Sequence, residues 1–266
     1  MAEVTAGVLH PGEMGTAVGA ALRSRGVRVI WASEGRSDET RRRAGEARLE
    51  DVESVEELAH RADVVFSICP PHAAVDLARA LSGFTGIYVD CNAVSPATMR
   101  GIADVVPRVV DGGIIGPPPR AAGTTRLYLA GREAPAVADL FEGTPMGARV
   151  VSDEIGRASA LKMAYAAWTK GTSALLLAVR SLARTEGVEP VLLEEWGLSL
   201  PELPELSVRA ARSAATKGWR WVGEMEEVAG TFAAAGLPDG FHLAAADVFR
   251  TISRDLAQAW PRAVPS

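Results

Sequence analysis

A lysine within a long apolar stretch is the first residue of this chain that could carry chemistry. Residues 156–187 are rich in Ala, Leu and Met and contain no proline, which predicts one long helix ending at Gly187. Lys162 lies on this helix, and Tyr165 shares its face because residues three apart are neighbours on a helix. An ammonium there either reaches solvent along its alkyl stem or serves as a desolvated proton donor beside a cleft. The helix alone favours the first interpretation.

The turn after the first apolar run could bind phosphate. Residues 4–9 predict a short strand, the sequence HPGEMG follows, and helical spacing begins beyond it. A dinucleotide site needs glycine where the backbone meets the pyrophosphate and again where the helix packs on the strand. Gly12 and Gly15 supply these positions, whereas the first fingerprint position is not glycine. The turn predicts five cofactor-binding residues: His10, Pro11, Gly12, Glu13 and Met14.

The end of the second predicted strand, residues 27–33, bears on the choice of nicotinamide cofactor. Its candidate residues are Ser33, Glu34, Arg36 and Ser37. A carboxylate here accepts both ribose hydroxyls of NAD, while arginine with hydroxyl donors binds the 2′-phosphate of NADP. Arg36 and Ser37 favour NADP (NADPH) over NAD, although the arginines at 41–43 are equally explained as a solvated helix face.

Loops after the later strands are the next candidates, because ligands in open α/β sheets bind beyond the carboxyl ends of the strands. Cys69, Pro70 and Pro71 follow the apolar run VVFSI, and the two prolines favour an extended path before a helix. We expect these three residues to contact the cofactor. Asn92 is placed to donate hydrogen bonds to a nicotinamide amide or to a substrate, with Ala93 beside it.

The glycine-rich stretch 111–131 is interpreted as a third loop at this edge of the sheet. Glycine lets a backbone come close to a ligand because it has no Cβ. Gly112, Gly113 and Gly116 are therefore expected to form part of the wall of a substrate site.

The elements that position these residues alternate between strand and helix. Predicted strands cover residues 4–9, 27–33, 62–69 and 86–91, separated by helices at 38–49, 54–60, 71–82 and 96–105. This alternation predicts an α/β fold, a Rossmann-type doubly wound parallel sheet. Beyond Gly187 we predict only helices, over 190–198, 204–216, 220–235 and 240–258, with breaks at Pro201, Pro204, Gly218 and 236–240. The predicted domains are a dinucleotide-binding domain, 1–155, and an all-α domain for substrate and dimerisation, 156–266.

Composition narrows the functional classes. The 266 residues and 28.0 kDa allow two domains, and a net charge of −5 with 48% hydrophobic residues indicates a soluble protein that does not bind nucleic acid. No stretch resembles a signal peptide or a membrane span, so we expect a cytoplasmic protein without a membrane partner. Cys69 and Cys91 belong to no metal-binding pattern, so we expect reduced thiols and no metal.

Aromatic residues near the end of the chain could line a pocket. Trp219 and Trp221 concentrate aromatic area beside carboxylates, as a substrate pocket or a subunit contact would. Core packing with a solvated acidic face explains them at least as well. His242 is isolated and is interpreted as a structural residue.

Four stretches in this order resemble the β-hydroxyacid dehydrogenase superfamily, which includes 3-hydroxyisobutyrate and 6-phosphogluconate dehydrogenases and, more distantly, imine reductases. The stretches are GVLHPGEMG (7–15), VDCNAVSP (89–96), VDGGIIGPPPRAAGT (110–124) and GRASALK (156–162). The resemblance implies that Lys162 acts as general acid or base. It also implies a homodimer formed through the C-terminal half, and residues 217–238 look like the helical domain of an uncharacterised branch.

This sequence departs from the family at several acid-binding positions. Ala166 stands where hydroxyacid dehydrogenases carry an asparagine, and Tyr165 beside it could replace that hydrogen-bond donor. Ile115, Gly116 and Pro117 occupy a substrate-binding stretch, where proline removes one backbone N–H. Asn92, directly after the strand predicted over 86–91, replaces a serine that is common at this position in the family. The scaffold and the lysine are kept, while the features that bind a carboxylate are weakened.

These observations predict an NADP-dependent oxidoreductase that transfers hydride between nicotinamide and a small carbonyl or hydroxyl substrate. Lys162 and Tyr165 are the predicted catalytic residues. An imine reductase is the alternative within this class, and a non-catalytic NADP-binding protein is the alternative outside it.

Overall fold

The computed structural model describes residues 4–251 of the chain. Contacts between Cα atoms divide the chain into two compact units, Met1–Lys162 and Met163–Ser266. We call them the sheet unit and the helical unit. The predicted domain boundary, between residues 155 and 156, lies before the long helix, whereas this division lies within it.

Residues 4–251 form one mixed sheet of eight strands, all within the sheet unit. The strands are β1 Thr5–Val8, β2 Arg28–Trp31, β3 Glu50–Asp51, β4 Val64–Ser67, β5 Ile87–Asp90, β6 Val109–Ile115, β7 Thr125–Ala130 and β8 Met146–Ser152. Their spatial order is β3-β2-β1-β4-β5-β6-β7-β8, and every pair is parallel except β6 with β7. The predicted Rossmann-type α/β fold is confirmed, with one antiparallel pair added.

Ten helices accompany the sheet within the same described range. They are α1 Glu13–Ser24, α2 Asp38–Glu46, α3 Val55–Arg61, α4 Pro71–Ala80, α5 Pro96–Ala103, α6 Ala134–Asp139, α7 Arg157–Thr185, α8 Glu189–Ser199, α9 Leu203–Ala234 and α10 Gly240–Thr251. The long helix predicted from the apolar stretch is confirmed as α7. No helix in this part of the chain is long and apolar enough to cross a membrane.

The central strands are buried on both faces. Val64 and Phe66 of β4 belong to one apolar cluster, and Val65 between them belongs to a second cluster on the other face. Successive side chains of a strand point to opposite faces, so helices must cover both sides of such a sheet. Strand β1 lies between β2 and β4, and the direction of strand order reverses there. In this topology the crevice at the reversal is where ligands bind.

Two predicted boundaries in the sheet unit were wrong. The stretch 111–131, interpreted as a loop, contains most of β6 and all of β7. Its glycines suit a strand here because neighbouring backbone comes too close for side chains: a Cβ at Gly112 would lie 2.8 Å from the carbonyl oxygen of Asp90. Helix α2 stops before residue 49 because Arg48 takes a left-handed conformation, with φ of 54°.

The helical unit contains fewer breaks than predicted. Helix α9 continues through Gly218, so residues 204–216 and 220–235 form one helix. Pro204 lies in its first turn, where a missing N–H breaks no intrahelical bond. The last predicted helix, 240–258, corresponds to α10, and its residues after Thr251 lie outside the described part of the chain. The all-α character predicted after Gly187 is confirmed for residues 188–251.

An ion-pair network holds three helices of this unit together. Arg180 of α7 is 1% exposed, and its guanidinium donates to Glu189 of α8 and to the Ser207 hydroxyl of α9. Arg184 donates to the same carboxylate from one turn further along α7. A buried guanidinium needs such partners because transfer of an unpaired charge from water is costly.

Candidate functional site

The turn between β1 and α1 has two glycines with different surroundings. A Cβ at Gly15 would lie 2.3 Å from the His10 carbonyl oxygen, so this position excludes any side chain. A Cβ at Gly12 would meet nothing within 4 Å. Gly12 is the N-cap of α1, and Thr16 steadies the turn by donating to the Pro11 carbonyl over 2.8 Å. The space in front of Gly12 is open to a bound group.

Of the helices that follow the parallel strands β1 to β5, three have a side-chain cap at the N-terminus and two do not. Serines 37, 54 and 95 cap α2, α3 and α5, each accepting a hydrogen bond from a first-turn backbone amide. Helices α1 and α4 begin at Gly12 and Pro70 without a side-chain cap. These two helices follow the strands that flank the crevice. Uncapped first-turn amides and the positive end of the helix dipole favour an anion there.

Side chains from three loops meet beside this crevice. Burial, together with the charge of Arg36, lowers the pKa of His10 to about 4, so the imidazole is neutral at pH 7. Burial also lowers the pKa of Arg36, while the pKa of Cys69 rises to about 12 through burial and the charge of Asp90. His10 Nδ1 and Arg36 Nε are buried without a hydrogen-bond partner in the described part of the chain. A ligand with acceptor groups would satisfy the arginine.

Asn92 is used within the protein. Its Oδ1 accepts from the Cys69 amide over 2.5 Å, and its Nδ2 donates to Ser67 Oγ and to Asp90 Oδ2 over 3.0 and 2.8 Å. Both amide hydrogens predicted to reach nicotinamide or substrate are thereby occupied. Asn92 instead ties the loop after β4 to the loop after β5. Ser37 likewise uses its hydroxyl as the cap of α2.

Asp90 lies beneath this network. Its carboxylate is 1% exposed and accepts from both the backbone and the side chain of Asn92. Burial raises its pKa to about 7, although these hydrogen bonds act in the opposite direction. The charge of Asp90 therefore changes near neutral pH.

Strand β6 contacts the start of α7 at several points. Asp111 Oδ2 accepts from the backbone amides of Gly156, Ala158 and Ser159 over 2.9 to 3.0 Å, and Oδ1 accepts from Ser159 Oγ over 2.6 Å. Burial raises the pKa of Asp111, against these four bonds. Lys162 is half-buried, and its Nζ donates to the Ile114 carbonyl over 2.6 Å. The ammonium is thus held at a defined place beside the strand.

The glycines assigned to a substrate wall have structural roles. A Cβ at Gly113 would lie 3.0 Å from the Ala158 carbonyl oxygen and 3.3 Å from Lys162 Cβ, so glycine permits α7 to pack on β6. Gly116 has φ of 126°, and its Cβ would lie 2.3 Å from the Thr124 carbonyl oxygen. Ile115 is 4% exposed and belongs to the packed interior. Packing within the protein therefore explains the residue type at each of these positions without a substrate.

The candidate site residues of the helical unit, Tyr165, Trp219 and Trp221, have different surroundings. Tyr165 is 45% exposed, while Ala166 is buried. Trp221 packs edge-on against Phe249, with ring centroids 5.1 Å apart, within the apolar core of this unit. Trp219 is 63% exposed. The two tryptophans do not form one aromatic pocket, and core packing accounts for Trp221.

Two functional candidates escaped the sequence analysis, namely Asp111 and Ser159. In the sequence Asp111 resembles an ordinary turn residue before glycines, and the first amide that it accepts, that of Gly156, lies 45 residues later. An acidic residue directly after an apolar pair is the sole available signal, and it does not identify its partner. Among residues 4–251 no group of three or more His, Cys, Asp or Glu side chains is arranged to hold a metal.

Comparison with known proteins found relatives along most of the chain. A family model described as a domain of unknown function (DUF1932) matches residues 183–252. An uncharacterized 28.5 kDa protein of Methanothermus fervidus is 33% identical over 172 residues, which cover 63% of this chain and 66% of that protein. A solved conserved protein of unknown function, described as structurally similar to 3-hydroxyacid dehydrogenases, is 30% identical with a TM-score of 0.70. That match covers 96% of this chain and 98% of the other.

More distant solved structures share the fold. A Mycobacterium tuberculosis 3-hydroxyisobutyrate dehydrogenase, solved with L-serine, is 17% identical with a TM-score of 0.69 and covers 97% of this chain and 95% of its own. A reductive aminase from Aspergillus terreus, in complex with NADPH and ethyl levulinate, is 17% identical with a TM-score of 0.60 and the same coverage. At this identity the likeness concerns the fold alone.

Proposed function

Because the chain belongs to the β-hydroxyacid dehydrogenase superfamily, in a divergent branch with a helical C-terminal domain, we propose that it is an NADP-dependent oxidoreductase. Its substrate is a small carbonyl or hydroxyl compound, and Lys162 is the general acid or base. The observation that carries the proposal is the half-buried Lys162 ammonium held against the Ile114 carbonyl. Solved neighbours of this fold include a complex with NADPH.

The residues around the crevice suit a dinucleotide. The turn from His10 to Met14 would hold the pyrophosphate at the uncapped start of α1, where the position of Gly12 leaves room for it. Cys69, Pro70 and Pro71 would line the second uncapped helix start. The partnerless Nε of Arg36 favours a phosphate-bearing ribose and hence NADP over NAD. Ser33, which is buried, completes this end of the site.

In this proposal the cofactor transfers the hydride and the protein transfers the proton. When bound, the nicotinamide supplies or accepts the hydride. Lys162 gives a proton to the substrate oxygen during reduction and takes it back during oxidation. The Ile114 carbonyl keeps the ammonium oriented, and the Asn92 network keeps the two loops beside the crevice in register. Tyr165, three residues further along α7, is proposed as a second hydroxyl donor.

Substrate recognition differs from that of hydroxyacid dehydrogenases in this proposal. Ala166 offers no hydrogen bond, and Pro117 removes an N–H that could bind a carboxylate. Ala93 and the exposed Gly116 remain proposed substrate contacts, and an uncharged carbonyl compound suits them better than an acid. The same departures support an imine as the alternative substrate, since an imine needs only a proton donor and hydride.

Replacement of Lys162 is the central test. Lys162→Met should lower turnover by about two to four orders of magnitude, because a positioned acid or base contributes that much. Its affinity for NADPH should stay within about twofold, as measured by thermal unfolding with NADPH, NADP, NADH and NAD. Ketones, alcohols and imines are screened in parallel to identify the substrate.

The control variant is Lys217→Met, which removes an exposed lysine of the helical unit. Unchanged turnover in Lys162→Met would contradict the assigned role. NADPH binding without turnover of any compound would favour the non-catalytic alternative.

A further inference from the structure

We propose that Asp111 is the positioning residue for Lys162, and this inference rests on the proposed function of that lysine. The Asp111 carboxylate accepts hydrogen bonds from the start of helix α7 and so fixes the rotation of this helix relative to strand β6. About one helical turn later, the Lys162 ammonium donates to a carbonyl of the same strand. Asp111 touches neither substrate nor cofactor in this proposal and acts through the helix.

The first-turn amides of a helix have no intrahelical acceptor. A cap usually comes from the residue that directly precedes the helix. Here one carboxylate from another element accepts three of these amides, those of Gly156, Ala158 and Ser159, and also the Ser159 hydroxyl. Asp111 is 0% exposed, so water cannot replace these bonds. The helix start is therefore tied to a strand of the sheet.

Two further contacts lie along the same strand. Gly113 brings β6 against Ala158 and Lys162, and the Ile114 carbonyl accepts from Lys162 Nζ. Each residue of a helix turns the side-chain direction by about 100°, so a slip of one residue would move the ammonium away from the strand. Asp111 opposes such a slip because all three amides would lose their acceptor together.

Aspartate suits this place better than its amide. Asp111 uses both oxygens as acceptors, and its charge interacts favourably with the positive end of the helix dipole. Asparagine has the same size but one acceptor oxygen and no charge, so it can keep the amides only by turning its NH2 towards Ser159, which reverses that hydrogen bond. Asp111→Asn thus loosens the helix start without creating a cavity.

The test measures helix position without requiring a substrate. The chain contains three lysines, Lys162, Lys170 and Lys217, so acylation of each amine by acetic anhydride can be followed by mass spectrometry. In Asp111→Asn we expect the rate at Lys162 to change at least threefold while that at exposed Lys217 stays constant. Amide hydrogen exchange at Ala158 and Ser159 should accelerate at least tenfold. The matched control is Asp63→Asn, which also removes a carboxylate that accepts a backbone amide, that of Thr5.

Where a substrate is found, kcat of Asp111→Asn should fall at least tenfold with the affinity for NADPH unchanged. Wild-type exchange and labelling in a folded Asp111→Asn protein would overturn the inference. If that variant does not fold, Ser159→Ala decides, since it removes one donor and should accelerate exchange at least threefold; no acceleration overturns the proposal. Altered labelling combined with an unaffected Lys162→Met enzyme would refute the proposed function and leave the positioning role standing.

Discussion

At the scale of single residues, the two glycines of the first turn have different reasons to be glycine. Gly15 is required by the protein itself, because the His10 carbonyl occupies the place of a Cβ. Gly12 faces open space, so its lack of a side chain matters only when something binds there. The pattern of glycines was readable from the sequence, whereas the separate reason for each depends on distances.

Alanine at each position separates these reasons. Gly15→Ala should lower the free energy of unfolding by at least about 2 kcal/mol, because the turn must move. Gly12→Ala should cost no more than about 1 kcal/mol, the usual loss at an N-cap, yet weaken NADPH binding at least tenfold. Urea unfolding and NADPH titration measure the two quantities. Equal NADPH affinity in wild type and Gly12→Ala would rule out the turn as the phosphate site.

Asp90 predicts an unusual dependence of stability on pH. Its pKa of about 7 in the folded protein exceeds the ordinary value of 3.8, so the folded state binds this proton more tightly than the unfolded chain. Its contribution to the free energy of unfolding is fully present below about pH 4 and falls as pH rises towards 7, by up to about 1.4 kcal/mol per pH unit.

Asp90→Asn removes this titration. The difference in unfolding free energy between wild type and variant should decrease from pH 5 to pH 7 and then level off, measured by urea unfolding at each pH. Taking the difference cancels the titration of other groups. A difference that is independent of pH would show that Asp90 keeps its ordinary pKa.

Prediction from sequence located the elements whose residues adjoin along the chain. The long helix that carries Lys162 and the strand, turn and helix around Gly12 belong to this class. Asn92 was predicted to donate to a ligand, and its hydrogen bonds to Ser67 and Cys69 were missed because these partners lie far from it in sequence. Hydrogen-bond partners far apart in sequence depend on the assembled sheet.

At the scale of elements, β6 shows why boundaries were harder to predict than order. Glycine is disfavoured in strands, so the part of β6 from Asp111 onward was interpreted as a loop. Its glycines are accommodated because the strand packs closely against Cys91 on one side and α7 on the other. Helix α9 presents the opposite case, since Gly218 and Pro204 suggested breaks that a long helix tolerates at these positions. Residue propensities describe an isolated segment, whereas packing in the folded protein determines where its strands and helices begin and end.

The buried network of α7, α8 and α9 gives a test at this scale. Glu189→Ala should lower the free energy of unfolding by about 3 kcal/mol, because it leaves the buried Arg180 guanidinium without its carboxylate. Arg184→Ala should cost less than about 1 kcal/mol, since Arg184 is partly exposed and water replaces its ion pair. Chemical unfolding of both variants provides the comparison. Similar losses would show that the pair with Arg184 dominates.

At the scale of the whole molecule, the helical unit exposes large apolar side chains. The most exposed are Leu198 at 78%, Trp168 at 74%, Val191 at 66%, Leu182 at 63% and Trp219 at 63%. We propose a homodimer that covers part of this area, since association removes apolar surface from water. Sedimentation should give twice the 28.0 kDa of one chain.

Leu182→Glu, on the exposed face of α7, should shift the protein towards monomer, whereas Val150→Glu, at an exposed position of the sheet unit, should leave its mass unchanged. A monomer for the wild-type chain at micromolar concentration would contradict the dimer. The alternation of strands and helices predicted the architecture of this molecule, but no local pattern shows which exposed apolar residues meet a second chain.

The division between the two units passes directly after Lys162. The proposed proton donor thus belongs to the unit that carries the nucleotide turns, together with Asp111 and Ile114. Chimeras that exchange everything from Met163 onward with a relative would keep Lys162, Asp111 and Ile114 and would replace Tyr165. Exchange of the helical unit at this position could therefore change the substrate range while the residues proposed to support hydride transfer are kept.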